Sequence, residues 1–378
     1  MTIHILPVRS GAEKRAFYKF AFRIYRHDPH WVPPLWSQRK EYLDKKAAFF
    51  TYGEGDFWLA MEGKNVIGTI GTAVNPSRNH EKGWKAGTFG FFEVLPERYD
   101  AARAMWDHAC EWCRSRGMTE LQGPYSFSND ADPGFLVEGF NTMPSIMMGH
   151  NPPYYPEFAA RYGFKKLYEG LAYRLDLSLY EYNPENAPEI LKKIAKRAIR
   201  RRGQAVVRSP RMEDWEQEVV KLHGVYNKSL AVLPEFSPIE LVEFQATAAG
   251  LRSVIDPQLV FIAEVDGKTA GFALGLPNLT EALKVANGLQ YPWDYMRLLR
   301  AQKNIKSVSF KILAIDPAYW GYGLEALMFL EMGKVLVNKG YDWVDASLTN
   351  EFNPQTNKLA TRLGAYVYRR YREFRLKL

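Results

Sequence analysis

Two stretches of this chain, about 200 residues apart, carry the same plan. Residues 57–74, FWLAMEGKNVIGTIGTAV, read as an apolar strand, a turn through Gly63-Lys64-Asn65 and a second apolar strand. Residues 260–276, VFIAEVDGKTAGFALGL, repeat it with Asp266-Gly267 as the turn, a strong short-range hairpin signal. The echo continues downstream. TFGFFEV, a helix over residues 99–116 stopped by Gly117, a strand at TELQGPYSF and NPPYYPEFAARYGFKKLYEGLAYRLDL follow the first hairpin. SVSFKILAID, a helix over residues 324–339 stopped by Gly340, a strand at DWVDASL and NPQTNKLATRLGAYVYRRYREFRLKL follow the second. Both halves thus run hairpin, strand, helix, strand, short helix, Gly-bounded turn, final strand. The pattern predicts an α/β (α+β) fold of two tandem units, each a mixed central sheet flanked by helices. They span residues 1–178 and 206–378, joined by a basic connecting helix over 179–205.

A length of 378 residues suits two hydrophobic cores rather than one. The first residues lack the apolar run of a signal peptide, and no stretch reaches the roughly 18 apolar residues of a membrane span, so a cytoplasmic protein with no membrane partner is expected. The two cysteines, Cys110 and Cys113, lie on one predicted helix; they give half of a structural zinc set with no second pair, so no metal is expected. A net charge of +8 suits an anionic partner without choosing among coenzyme A, acidic metabolites and RNA.

Each half carries an extra segment. GPYSFSNDADPGFLVEGFNTMPSIMMG follows the fifth strand of the first half. Its Phe127 and Phe135, with Tyr154 and Tyr155 beyond, read mainly as core, while Asn129, Asp130 and Asp132 add polar groups suited to ligand recognition. LTEALKVANGLQYPWDYMRLLRAQKNIK in the second half reads as helical and as one wall of a substrate pocket. Between the halves, ENAPEILKKIAKRAIRRRGQ sets Leu191, Ile194, Ala195, Ala198 and Ile199 on one helical face against Lys192, Lys193, Lys196, Arg197, Arg200, Arg201 and Arg202.

The window IDPAYWGYGLEAL, residues 315–327, is the most informative for chemistry. A strand ends near Pro317, a turn holds Gly321 and Gly323, and a helix starts at Leu324, a geometry that aims backbone N–H groups at an anion. Here the chain resembles the GNAT N-acyltransferases. The resemblance implies that Gly321, Tyr322, Gly323, Leu324 and Glu325 hold the pyrophosphate of an acyl-CoA, acetyl-CoA above all. It further implies that the fourth strand at Leu313, Ala314 and Ile315 lies along the cofactor and supplies N–H groups to an oxyanion, and that Asn353 and Asn357, on the helix after strand five, also bind the cofactor. Asn353 and Gly364 keep the family's spacing. Trp320 and Glu325 stand where the family prefers Arg or Gln and a small residue, and Ala360 replaces a frequent tyrosine acid. The first half has no glycine pair after EVLPERYD and reads as a structural or acceptor-binding partner. The arrangement looks most like uncharacterised bacterial proteins of GNAT type.

The resemblance implies attack of a primary amine on a thioester, which needs a base for an ammonium of pKa about 10. Candidate bases are Asp345 and Glu351 in VDASLTNEFN and Glu93 among the aromatics of TFGFFEV. Each also reads as a paired or solvated acid. The leading expectation is an acyl-CoA-dependent N-acyltransferase acting on a small amine or amino-acid-like acceptor. The alternatives are a catalytically silent ligand-binding relative and, on the basic tract alone, an aminoacyl-tRNA-dependent transferase; a nucleic-acid partner is the weaker expectation. Nothing in the sequence selects an oligomeric state.

Overall fold

The structure is a computed structural model that describes residues 2–127, 133–201, 205–232, 238–252 and 255–378. Asn129, Asp130, Asp132 and Arg202 lie outside the described residues.

The first half runs β1 (Ile3–Pro7), α1 (Gly11–Ile24), α2 (Trp36–Leu43), β2 (Glu54–Glu62), β3 (Asn65–Val74), α3 (Pro76–Lys82), β4 (Ala86–Val94), α4 (Tyr99–Arg114), β5 (Glu120–Gly123), β6 (Phe135–Glu138), α5 (Tyr154–Tyr162) and β7 (Lys165–Asp176). The connector forms α6 (Glu189–Arg201). The second half runs β8 (Val206–Arg208), α7 (Trp215–Leu230), α8 (Leu241–Leu251), β9 (Val260–Val265), β10 (Lys268–Pro277), α9 (Thr280–Leu283), α10 (Pro292–Gln302), β11 (Ser307–Ile315), α11 (Leu324–Asn338), β12 (Trp343–Asn350), α12 (Pro354–Arg362) and β13 (Tyr366–Lys377). The duplicated plan read from the sequence is present, and both hairpins, β2–β3 and β9–β10, pair antiparallel.

Among the described residues, all thirteen strands join one sheet, ordered β1-β2-β3-β4-β5-β13-β7-β12-β11-β10-β9-β8, with β6 also paired to β13. The two halves exchange their last strands. β13, at the end of the second half, pairs with β5 of the first, and β7 of the first pairs with β12 of the second. The seam between β7 and β13 is antiparallel and pinned by Glu169, whose carboxylate meets Arg372 at 2.6 Å and Arg370 at 3.1 Å. Burial raises the Glu169 pKa, but Arg372, Lys166 and Arg370 outweigh it and hold the carboxyl below its ordinary value. Removing those cations would leave a buried charge unpaired, so these ion pairs hold the β7–β13 seam.

Helices cover the faces of the sheet. On α4, Ala101, Ala102, Met105, Trp106, Ala109, Cys110 and Cys113 repeat at helical spacing and all are buried. Trp106 stacks on Phe92 of β4, with centroids 4.7 Å apart and planes 2° from parallel. The cysteines are free and buried, and burial pushes the Cys113 thiol up to about 12, which leaves it a core residue. No helix among the described residues is long and apolar enough to cross a membrane.

Candidate functional site

In the first half, β4 and β5 pair in parallel only from Ala86 to Thr88 opposite Glu120 to Gln122, and beyond that they part. The parting is set by close backbone contact: Tyr125 N–H donates to Phe89 O at 2.8 Å, and a Cβ on Gly90 would lie 1.6 Å from Tyr125 O. Only glycine fits there. A bulge follows, because the β3 register jumps from Gly71 opposite Gly90 to Thr69 opposite Glu93, with Phe91 at φ 49. The extra residue re-aims the strand end, as bulges beside functional sites do.

Against that strand end lies a cavity of about 600 Å³, lined by Phe91, Phe92 and Glu93 of β4, by Tyr18 and Ala21 of α1 and Tyr25 just past its end, by Tyr125 and Phe135, and by the segment around His150. The helical insert of the second half closes one side through Leu283, Leu289, Leu298 and Gln302, the wall anticipated for it. The lining is mostly aromatic and aliphatic, with polar side chains that include Gln38, Arg39, Thr69 and Glu93, and the hydrogen bonds of two tyrosines meet at one point, a pattern typical of ligand sites.

Glu93 is that point. Its Oε2 accepts the Tyr155 hydroxyl at 2.7 Å and the Tyr25 hydroxyl at 2.9 Å. Tyr155 itself accepts the Val94 N–H at 2.9 Å, which fixes it as a donor to Glu93. Burial first, and the Glu93 charge second, push both phenols well above their ordinary pKa, so both stay protonated. Beside them, His150 Nε2 lies 2.8 Å from Asp28 and its Nδ1 accepts from Arg369 at 3.1 Å, so Nε2 carries the proton toward the carboxylate. Burial, then Arg369, lowers the His150 pKa despite Asp28.

The equivalent place in the second half is filled. β11 and β12 pair in parallel from Ser307 to Phe310 opposite Trp343 to Ala346, and the register against β10 then skips Lys311. Lys311 turns inward, donates to Ile146 O at 2.8 Å and stands 3.8 Å from Asp345. Asp345 is fully buried; Ser309 donates to one carboxylate oxygen at 2.7 Å and Tyr368 to the other at 2.9 Å. Burial lowers the Lys311 pKa against the pull of Asp345. What is a cavity in one half is therefore a packed polar cluster in the other, completed by Ser145 and Ile146 from the first-half insert.

The remaining residues singled out from the sequence fall outside the cavity. Glu351 ties β12 to β7 through Lys166 at 2.8 Å and the Glu169 N–H at 2.9 Å. Asn353 caps α12 by accepting the Thr356 N–H, and Asn357 holds the carbonyls of Asn350 and Glu351. The Ile315 N–H is taken by Ser229 Oγ at 2.9 Å, while Leu313 and Ala314 pair with Ala273 and Phe272 in the sheet. In the glycine turn, Gly321 (φ 76) is open, but a Cβ on Gly323 (φ 79) would lie 2.7 Å from Ile194 of α6. Tyr322 N–H is spent on Tyr319 O, Leu324 is buried, and Glu325 is half-buried on the first turn of α11. The connecting helix packs over this turn, with Leu191 and Ala195 against Ala326. Ile194 thus packs against the Cα side of Gly323, and Glu325 follows on the first turn of the helix. No catalytic step is assigned to this turn. Among the described residues, no group of His, Cys, Asp and Glu is placed to hold a metal.

Tyr25, His150 and Arg369 were not legible as site residues. They come together from positions 25, 150 and 369, and no local motif links them.

No protein-family model matches the sequence. Among solved structures, a tandem GNAT protein from the clavulanic acid biosynthesis pathway superposes over 100% of this chain and 98% of its own, with a TM-score of 0.59 at 15% identity. The chain has a tandem GNAT fold. A GCN5-related N-acetyltransferase from Sphaerobacter thermophilus shares that fold at a TM-score of 0.54 and 12% identity, covering 99% and 95% of the two chains. Two proteins are similar in sequence over nearly the whole chain. A bacterial ceramide synthase from Caulobacter vibrioides is 28% identical over 382 residues, 98% of this chain and 97% of that protein. Protein YghO from Escherichia coli is 26% identical over 367 residues, 95% and 91% of the two.

Proposed function

We propose that this protein is an acyl-CoA-dependent N-acyltransferase whose substrates include a long hydrocarbon chain, and that the reaction takes place in the first-half cavity with Glu93 as base. The observation that carries this reading is the 600 Å³ mainly aromatic and aliphatic cavity that Glu93 helps to line. An acetyl group and a small polar amine would leave most of such a lining against water, whereas a long chain would desolvate it. The tandem GNAT fold supports acyl transfer, and ceramide, the product named for the Caulobacter relative, is an amide of a long-chain amine.

In this reading a neutral amine nitrogen attacks the thioester carbonyl as Glu93 takes its proton; the new C–N bond forms and the C–S bond breaks. The sulfur receives a proton from the Tyr25 hydroxyl, which recovers one from Glu93 through the 2.9 Å hydrogen bond between them. Tyr155 and Val94 hold the carboxylate in register. His150, fixed between Asp28 and Arg369, positions Tyr25 through its backbone carbonyl, 3.1 Å from the hydroxyl. Asp345, with Ser309, Lys311 and Tyr368, supports the seam between the halves.

The test is turnover by the purified protein given acyl-CoA of increasing chain length and a long-chain primary amino alcohol, read as free thiol and as amide by mass spectrometry. Thiol and amide appearing one for one, with kcat/KM rising with chain length, supports the reading. Absence of thiol release with every donor and amine pair overturns it in favour of a binding protein.

A further inference from the structure

The helix that walls the cavity, α10, is unusual in its other face. Asp294, Leu298, Ala301 and Gln302 turn inward, and Leu298 and Gln302 line the cavity itself. Facing outward are Trp293, Tyr295, Met296 and Leu299, which are 54%, 52%, 56% and 63% exposed. Tyr291 stacks on Trp293 at 4.8 Å and extends the apolar stripe past the helix start. Four large apolar side chains exposed on eleven residues of one helix is a contiguous patch, not scattered exposure.

Charge decides what covers it. The stretch from residue 284 to 306 carries five basic side chains, Lys284, Arg297, Arg300, Lys303 and Lys306, against a single acid, Asp294, which is fully buried and pairs with Arg297 at 3.5 Å, leaving four basic side chains without an acid in the stretch. Arg297, Arg300 and Lys303 are interleaved with the apolar stripe on the same outer face. A second copy of this surface would set like charges against one another. A bilayer with anionic headgroups would instead neutralise them while its acyl boundary takes Trp293, Met296 and Leu299, the combination that interfacial helices use.

We propose that the outer face of α10 docks on an anionic membrane surface, which sets the wall of the apolar cavity against the leaflet. The inference concerns the surface alone, so its test needs no turnover and stands apart from the acyltransferase reading.

The test is co-sedimentation of the full chain with phosphatidylcholine vesicles and with vesicles also containing phosphatidylglycerol. Binding is expected to the anionic vesicles and to be reversed by salt. The pair Arg300→Gln and Lys303→Gln should weaken it about thirtyfold, from a factor of about five per basic side chain. The pair Trp293→Ser and Leu299→Ser should weaken it by about tenfold or more, with melting temperature unchanged because all four residues are exposed. Equal sedimentation with and without anionic vesicles overturns the proposal, as does wild-type binding by both variants. A concentration-dependent dimer that the apolar pair abolishes, without vesicle binding, also overturns it and assigns the face to a second copy.

Discussion

Replacing Glu93 by Gln separates charge from shape at the proposed site. Both tyrosine hydroxyls donate to the same carboxylate oxygen, Oε2, at 2.7 and 2.9 Å. The carbonyl oxygen of Gln can therefore accept both, and the amide occupies the same volume. What is lost is charge assistance, the difference between about 1.5–3 kcal/mol for a hydrogen bond to a charged group and about 1 kcal/mol for a neutral one. Burial of a neutral amide is also easier than burial of a carboxylate, which offsets part of that loss. The expected change in stability is within about 2 kcal/mol, a shift of only a few degrees in melting temperature for a chain of this size. Catalysis is another matter, because an amide cannot take the proton that the amine nitrogen must lose as it attacks. Loss of a positioned general base lowers kcat by about 10²–10⁴. The assay is thiol release under saturating acyl-CoA, with circular dichroism melting run on the same preparation. A folded Glu93→Gln protein with kcat within a factor of about three of the wild type refutes Glu93 as base.

Ala21 lines the cavity from α1 and is nearly buried, so Ala21→Phe should shorten the preferred acyl chain, seen as a larger fall in kcat/KM for long donors than for short ones. Gly323→Ala places a Cβ against Ile194 at φ 79 and should cost about 1–3 kcal/mol in urea unfolding. Gly321→Ala meets nothing within 4 Å and should cost about 1 kcal/mol, from its φ of 76 alone. The folded protein holds His150 below its ordinary pKa, so the unfolded chain binds the extra proton first. Stability from this residue is intact above about pH 6.5 and is lost as pH falls from there through the lowered folded value; His150→Gln should show a shallower fall in melting temperature over that window.

The elements that announced themselves in the sequence are those fixed locally. Asp266-Gly267 made its hairpin, and the apolar spacing of α4 put Cys110 and Cys113 in the core as plain thiols. The exchange of β7 and β13 was not legible, because either strand alternates well enough to pair with β5 or β12, and the contacts that accompany the exchanged pairing, such as Lys166 of β7 with Glu351 past β12, join residues far apart in the chain. Gly321 and Gly323 do begin α11 with positive φ, as the motif required, but a helix face such as Leu191, Ile194 and Ala195 does not say what it will cover. Glu93 and Asp345 look alike in sequence, each an acid at the end of an apolar run. Their difference lies in Lys311 and Tyr368, which fill one strand parting, and in Gly90 and the Phe91 bulge, which open the other.

Acyl transfer in the first-half cavity at Glu93 is open to a direct structural check, a crystal structure with a non-transferable long-chain acyl-CoA thioether. The acyl chain is expected along Phe91, Phe92 and Leu298, with the reacting end beside Glu93 and Tyr25. A chain lying outside that cavity, with its reacting end at the Lys311 and Asp345 cluster, would contradict it.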